Sequence, residues 1–273
     1  MLWKRIATAA VLIPLLVASI LFSVGRPAGW PFLLLCAVAA ALCADEGFRM
    51  FLHGARDRVC GVALAVLAYF SAALLPAPFG VPALLVCVLL SVFHALPGAA
   101  DPAEKARRAA TLSLGAIYVG GLLSTYPRTL LLPRGEHWVL LGILAVAAGD
   151  TMAYFTGRAI GRRKLAPSVS PNKTVEGAVG GLLGSVGGAV LYAHGFLPGV
   201  PAGYIAAAGA AVGVFGQAGD LFESLVKRAA GVKDSGTILP GHGGILDRAD
   251  AILAAGPVLH LFAAWSSLAG SGA

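Results

Sequence analysis

The densest run of chemistry-bearing side chains lies between Gly219 and Asp250, GDLFESLVKRAAGVKDSGTILPGHGGILDRAD. It holds Asp220, Glu223, Lys227, Arg228, Lys233, Asp234, His242, Asp247, Arg248 and Asp250. Carboxylates without a neighbouring cysteine suit a hard cation such as Mg²⁺ and not zinc. Helical spacing puts Asp220, Glu223, Ser224 and Lys227 on one face. Asp247 and Asp250, three apart, share a face at the start of the next helix. Two acidic helix ends joined by one loop can converge on a metal ion. Gly241, Gly243 and Gly244 flank His242 and let a phosphate approach the backbone closely. Pro240 stiffens the entry, while Lys227, Arg228, Lys233 and Arg248 supply charge suited to phosphates.

Plainer roles exist for several of these residues. Glu223 and Lys227 also make an ordinary i,i+4 pair. Lys227 and Arg248 also fit the basic flank of a membrane protein, and Asp250 also fits a cap or pair at a helix start. His242 suits a metal ligand, a phosphate donor or a turn residue, and spacing does not choose. The set Asp220, Asp234, Asp247 and Asp250 beside His-Gly-Gly is nevertheless costly at a membrane boundary unless it has a purpose.

A second polar stretch reads GDTMAYFTGRAIGRRKLAPSVSPNKTVEG. Ser170-Pro171 fits a helix N-cap followed by proline at the first helical position. Lys173 would then sit in the first turn, where backbone N–H groups favour an anion. An ordinary capped helix with a basic flank is the equally open alternative. Asp150 falls deep within an apolar run, and an intramembrane carboxylate is a functional candidate by default. Gly177, Gly180, Gly181, Gly184, Gly187 and Gly188 form a small-residue seam, expected to serve helix packing, with a homodimer face as the alternative.

The elements that must position these groups are membrane helices. Hydrophobic residues make up 58% of the 273 positions and charged ones only 12%. Mean hydropathy is +0.83. Such a chain cannot cover a soluble surface with charge, so an ordinary cytosolic enzyme, a disordered tail and a nucleic-acid-binding module are excluded. Apolar runs occur near 6–24, 30–44, 59–75, 81–97, 109–125, 138–156, 177–195, 201–219 and 249–269. The expected fold is an all-α polytopic membrane protein of about nine helices, the first uncleaved. With a cytoplasmic N-terminus, 17 of the 20 Lys and Arg residues fall on the cytoplasmic side, as positive-inside topology requires. The expected location is the inner membrane, with loops 157–176 and 220–248 in the cytoplasm. Up to about residue 137 the membrane runs carry no ionisable side chain except His94. The expected division is therefore 1–137, about five membrane helices, and 138–273, a catalytic membrane region. Cys36, Cys43, Cys60 and Cys87 read as buried thiols, lacking metal-ligand spacing.

From Ser224 to Asp250 the sequence closely resembles the signature of phosphatidate cytidylyltransferases, or CDP-diacylglycerol synthases. Ser224, Lys227, Arg228, Lys233, Asp234, Pro240, His242, Gly243, Gly244, Asp247, Arg248 and Asp250 stand in register. Upstream, Lys164, Pro167, Ser170, Pro171, Lys173, Thr174, Glu176 and Gly177 match, and Asp150, Tyr154, Gly157 and Arg158 fit the lead-in. Ala249 and Val175 depart from the family's larger aliphatic residue and its frequent Trp. The resemblance implies that CTP and phosphatidic acid give CDP-diacylglycerol and pyrophosphate with Mg²⁺. It assigns Asp220 and Asp247 to metal, with Asp234 and Asp250 as further candidates and room for a second ion. Lys173, Lys227, Arg228, Lys233 and Arg248 would handle phosphates, and Asp150, Ser170, Thr174, Gly243 and Gly244 complete the expected nucleotide site. Expected partners are CTP, phosphatidic acid and the bilayer, with no nucleic acid. A CTP-dependent polyprenol kinase, and in another class a transporter, are the alternatives. Charges crowd on one surface loop instead of crossing the bilayer, which counts against a transporter. The multi-Asp motif of CDP-alcohol transferases is absent.

Overall fold

The computed structural model describes residues 2–98, 100–238 and 243–270, with side chains from Ala10 onward except at Ala77 and Gly270. His242, with Leu239, Pro240 and Gly241, lies outside the described residues. The chain is almost entirely helical because its long apolar runs must satisfy their backbone groups internally in a bilayer. The helices are α1 (Leu2–Ser23), α2 (Trp30–Phe51), α3 (Ala55–Leu74), α4 (Ala77–Ala95), α5 (Pro102–Gly115), α6 (Thr125–Leu130), α7 (Gly135–Ile160), α8 (Val175–Phe196), α9 (Ala202–Ala229) and α10 (Leu246–Gly270). A π-helical turn, Ala116–Gly121, follows α5. Between α7 and α8 stand two short strands, β1 (Lys164–Ala166) and β2 (Ser170–Thr174).

Eight helical stretches among the described residues are long and apolar enough to cross a membrane. The first expected run corresponds to α1, which contributes a shorter apolar stretch, Ala10–Ser23. The outward-facing side chains are apolar: Val59 is 70% exposed and Leu191 78%. A surface of that kind requires lipid, not water, as its solvent. The chain is a multi-pass membrane protein. It divides into two compact units, Met1–Arg128 with Asp234–Ala249, and Thr129–Lys233 with Asp250–Ala273.

In the first unit, Phe48 of α2 is buried between glycines of two other helices. A Cβ at Gly61 of α3 would lie 2.7 Å from its ring, and one at Gly115 of α5 would also collide with it. Leu64 and Ala68 of α3, Cys87 of α4 and Ala116 form an apolar cluster beside this contact. At the π turn, Gly120 presses against the Ala65 carbonyl, a place where only a missing side chain permits the approach. Tyr69 donates its hydroxyl proton to the Leu33 carbonyl at 2.7 Å. Cys36, Cys43 and Cys87 are buried as expected, and Cys60 is half-buried.

One expectation about this unit fails. α2 does not end at residue 44; it continues through Asp45, Glu46 and Arg49 to Phe51. Asp45 pairs with Arg49 at 2.7 Å on the exposed side, while Glu46 is only 2% exposed. A buried carboxylate therefore does occur in the N-terminal helices. The apolar pattern resumes at Phe48 and Phe51, so packing carries the helix past the charged pair.

In the second unit, α7 and α8 pack along the glycine seam. A Cβ at Gly180 would lie 2.6 Å from Thr156 Cβ, one at Gly184 2.6 Å from Met152 Cβ, and one at Gly188 2.8 Å from Ala148 Cβ. Packing is thus the use made of these three positions. Gly187 has open space around it. Gly209 and Gly213 of α9 continue the pattern against Ala189 and Ser185 of α8, and Gly219 meets the Asp250 carbonyl of α10.

Candidate active site

In the second unit, the second half of α7, the β1–β2 hairpin, the start of α8 and the middle of α9 line a cavity of about 560 Å³. Asp150, Lys173 and Thr174, expected at the nucleotide site, and Asp220, expected to hold metal, line it together. Asp150 sits in the middle of α7, yet its side chain opens into this space instead of being enclosed by apolar neighbours.

The β1–β2 hairpin positions Lys173. Lys164 pairs with Thr174 and Ala166 with Ser170 in antiparallel register. Glu176 of α8 ties the base of the hairpin to the start of α8 by accepting from the Arg162 and Arg163 backbone N–H groups at 3.0 and 3.2 Å. Arg228 of α9 donates to the Val169 carbonyl in the hairpin turn at 3.4 Å and to the Val232 carbonyl at 3.1 Å. Lys173, held in this frame, reaches across to Asp220 with Nζ 2.6 Å from Oδ2.

The expected capping at Ser170 is not what forms. The N-cap of α8 is Thr174, whose hydroxyl accepts from the Gly177 N–H at 3.1 Å. Ser170 and Pro171 belong to β2, so Lys173 lies on a strand before the helix and not in its first turn. Both Ser170 and Thr174 offer a capping hydroxyl. The hairpin, whose pairing absorbs residues 164–174, chooses the second. Loop 157–176 is accordingly shorter than expected, since α7 runs to Ile160.

α9 likewise continues to Ala229, so Asp220, Ser224, Lys227 and Arg228 are helical. The expected common face holds: the Ser224 hydroxyl approaches Asp220 Oδ1 at 3.4 Å, and Lys227 Nζ lies 2.5 Å from Glu223 Oε2. That pair is not an exposed one, for the Glu223 side chain is 1% and the Lys227 side chain 13% exposed. Asp250, 9% exposed, accepts from the Ala251 N–H at 2.8 Å. It stands within electrostatic reach of Asp220, Asp150 and Lys227. Lys233 is exposed at the end of this unit.

The segment 234–249 belongs to the first unit. Asp247, in the first turn of α10, turns back on its own loop. Its Oδ2 accepts from the Ser235 N–H at 3.0 Å, the Ser235 hydroxyl at 2.9 Å and the Gly244 N–H at 2.8 Å. Gly243 adopts φ +82°, and a Cβ there would lie 2.7 Å from Asp247 Oδ2. Glycine is required on both counts. Asp234 and Arg248 are exposed.

Among the described residues no group of three or more His, Cys, Asp or Glu side chains stands ready to hold a metal ion. Mg²⁺ does not need one, because it keeps water and takes phosphate oxygens alongside one or two carboxylates. Asp150 and Asp220 on the cavity wall fit that kind of binding.

Several residues of the cavity and of the signature loop escape sequence reasoning. Gln217 and Asn172 line the cavity; Gln217 donates to the Ala178 carbonyl at 3.0 Å. Neither is charged, and neither carries a periodic signal. Arg158 and Tyr154 stand in the resemblance but not among the expected site residues. They share a 2.9 Å hydrogen bond on the cavity wall. Glu46 is the most distant omission. Two adjacent carboxylates, Asp45 and Glu46, within a helix whose apolar pattern continues to Phe51 are the signal that points to it.

The profile of the family described as "Cytidylyltransferase family" matches residues 3–266. A phosphatidate cytidylyltransferase of Brucella abortus (strain 9-941) is 46% identical over 133 residues, covering 48% of each chain. That of Bacillus subtilis is 40% identical over 154 residues, 56% of this chain and 57% of the relative. That of Staphylococcus aureus (strain COL) is 47% identical over 130 residues, 47% of this chain and 49% of the relative. The chain spans about half the length of the curated relatives it matches. With nearly its whole length matched by one profile, the chain belongs to the cytidylyltransferase family.

Proposed function

We propose that the protein transfers the cytidylyl group of CTP to phosphatidic acid, forming CDP-diacylglycerol and pyrophosphate. The observation that carries this reading is the cavity in which Lys173 and Asp220 meet beside Asp150 and Arg158. It combines cations for phosphates with hard oxygen for a divalent ion, at the end of apolar helices where a lipid headgroup emerges.

The phosphatidate oxygen attacks the α-phosphorus of CTP, a new P–O bond forms, and the bond to the β-phosphate oxygen breaks. The attacking oxygen is already ionised, so no strong general base is needed. What remains is positioning and charge neutralisation. Lys173 and Arg158 hold the triphosphate, Lys173 exchanging Asp220 for phosphate oxygens. Lys227, Arg228, Lys233 and Arg248 add positive charge. Gly243 and Gly244 present backbone to a phosphate, and His242 is a further phosphate donor. Asp220 and Asp247 are the proposed ligands of Mg²⁺, with Asp150, Asp234 and Asp250 as supporting carboxylates. Held there, Mg²⁺ would neutralise charge on the departing pyrophosphate.

The site faces the cytoplasm in this reading, supported by the distribution of Lys and Arg. Cysteines placed at the exposed Ser168 and Thr237 in a Cys-free variant should react with an impermeant thiol reagent only after the inner face is opened. Labelling in intact cells would reverse the topology. For the reaction, purified protein is incubated with phosphatidate, Mg²⁺ and CTP labelled in the α or the γ phosphate. Lipid label from the α position alone is expected. Lipid label from the γ position would make the protein a kinase.

A further inference from the structure

The signature loop is anchored by a residue nearly two hundred positions earlier. Glu46 of α2 accepts from the Leu246 N–H at 2.9 Å and the Ser235 hydroxyl at 3.2 Å, both through Oε2. Its other oxygen, Oε1, is buried and has no hydrogen-bond partner among the described residues. The loop backbone lies directly on this carboxylate. The three atoms nearest to a Cβ built at Gly236 all belong to Glu46, and one built at Gly244 would collide with the same group. The Ser235 hydroxyl also lies 2.9 Å from Asp247 Oδ2. It has one proton, so Glu46 and Asp247 are coupled through a single donor.

Burying a carboxylate costs several kcal/mol unless specific partners offset it, and simple packing would be better served by leucine. We infer that Glu46 is a positioning residue: by holding Ser235 and Leu246 it fixes the orientation of Asp247, a proposed ligand of the divalent cation. The inference rests on the proposed cytidylyl transfer, in which Asp247 is a metal ligand. Carboxylates and hydroxyls that orient a metal ligand change metal affinity when removed, by about 10- to 100-fold.

The test uses the full chain in detergent with Glu46→Gln, Glu46→Asp, Gly236→Ala and the double variant Glu46→Asp/Gly236→Ala. Glu46→Gln should raise the Mg²⁺ concentration for half-maximal turnover about tenfold, with KM for phosphatidate within about twofold of normal. Gly236→Ala should shift the Mg²⁺ requirement in the same direction, because its methyl displaces the Glu46 carboxylate. The double variant should recover part of that loss, since the shorter aspartate makes room for the methyl. An unchanged Mg²⁺ requirement in Glu46→Gln would overturn the inference, as would equal losses in every kinetic constant. A second readout is independent of turnover. Tryptic cleavage after the exposed Lys233 should accelerate in Glu46→Gln, and unchanged cleavage would remove Glu46 as the loop's anchor. Inactive wild-type protein would defeat the cytidylyl reading alone, leaving the cleavage arm to decide on Glu46.

Discussion

Two carboxylate sites in this protein solve the same problem in different ways. In the second unit Asp220 is about a third exposed and meets a cation, Lys173, across an open cavity. In the first unit Glu46 and Asp247 meet backbone N–H groups and one hydroxyl inside a closed loop. In the proposed reaction the first arrangement is exchangeable: a phosphate would replace Asp220 on Lys173 and a metal would replace Lys173 on Asp220. The second is fixed, since N–H donors of a glycine-rich loop move only with the backbone. Under the proposed function one region changes partners during the reaction, while the other holds a conformation. Substitutions in the first should therefore alter chemistry with little effect on stability, and substitutions in the second should alter both.

The comparison breaks most decisively at Asp220. Asp220→Asn keeps the shape and removes the charge, so turnover should fall about a thousandfold while the protein inserts and melts normally. A variant retaining more than about a tenth of normal activity, the size of an exposed ion-pair effect, would strike Asp220 from the metal site. Asp247→Asn should lose as much activity and should also speed tryptic cleavage at Lys233. If Asp247→Asn left cleavage unchanged, the contrast between an exchangeable and a fixed carboxylate would collapse.

Next in size is the buried pair on α9. Lys227→Met removes the cation beside Glu223, whose side chain is 1% exposed, and should cost about 3 kcal/mol of stability. A melting temperature equal to the wild type's would show that the pair is not a structural element. Lys173→Gln should raise KM for CTP about tenfold, as expected for one charge-assisted hydrogen bond, with less effect on phosphatidate. Unchanged CTP kinetics would remove Lys173 from the nucleotide site. Thr174→Ala deletes the cap of α8 and should lower stability by about 1 kcal/mol; Ser170→Ala should not, and the reverse ranking would restore Ser170 as the cap. The smallest effect belongs to Asp45→Asn, next to Glu46 on the exposed side of α2. Its i,i+4 pair is worth about 0.3–0.5 kcal/mol, so a large kinetic change there would blur the distinction drawn for Glu46.

Much of the architecture was legible in the sequence because membrane helices obey a one-dimensional rule. Length and hydropathy place α3, α7, α8 and α10 within a few residues of their observed ranges, since each must cross a fixed apolar thickness. The charged signature was legible for the same reason: a carboxylate or cation stands out against an apolar background. Lys173, Thr174, Asp150 and Asp220 line one cavity, because each lies near a helix end or on an opening helix face.

Tertiary contact decided the rest. Ser170 and Thr174 offer the same capping hydroxyl, and only the pairing of β1 with β2 selects Thr174. Glu223 and Lys227 have the spacing of a surface pair, and only the packing around α9 buries them. Glu46 lies 189 residues from Ser235 and 200 from Leu246, a separation across which no local pattern carries information. Sequence by itself determined which residues were chemically expensive to place in a membrane, since that cost belongs to each side chain and its immediate run. Which of them would share a proton, a cation or a loop was decided only in three dimensions, because hydrogen bonds and ion pairs depend on distances of about 3 Å that the order of residues along the chain does not specify.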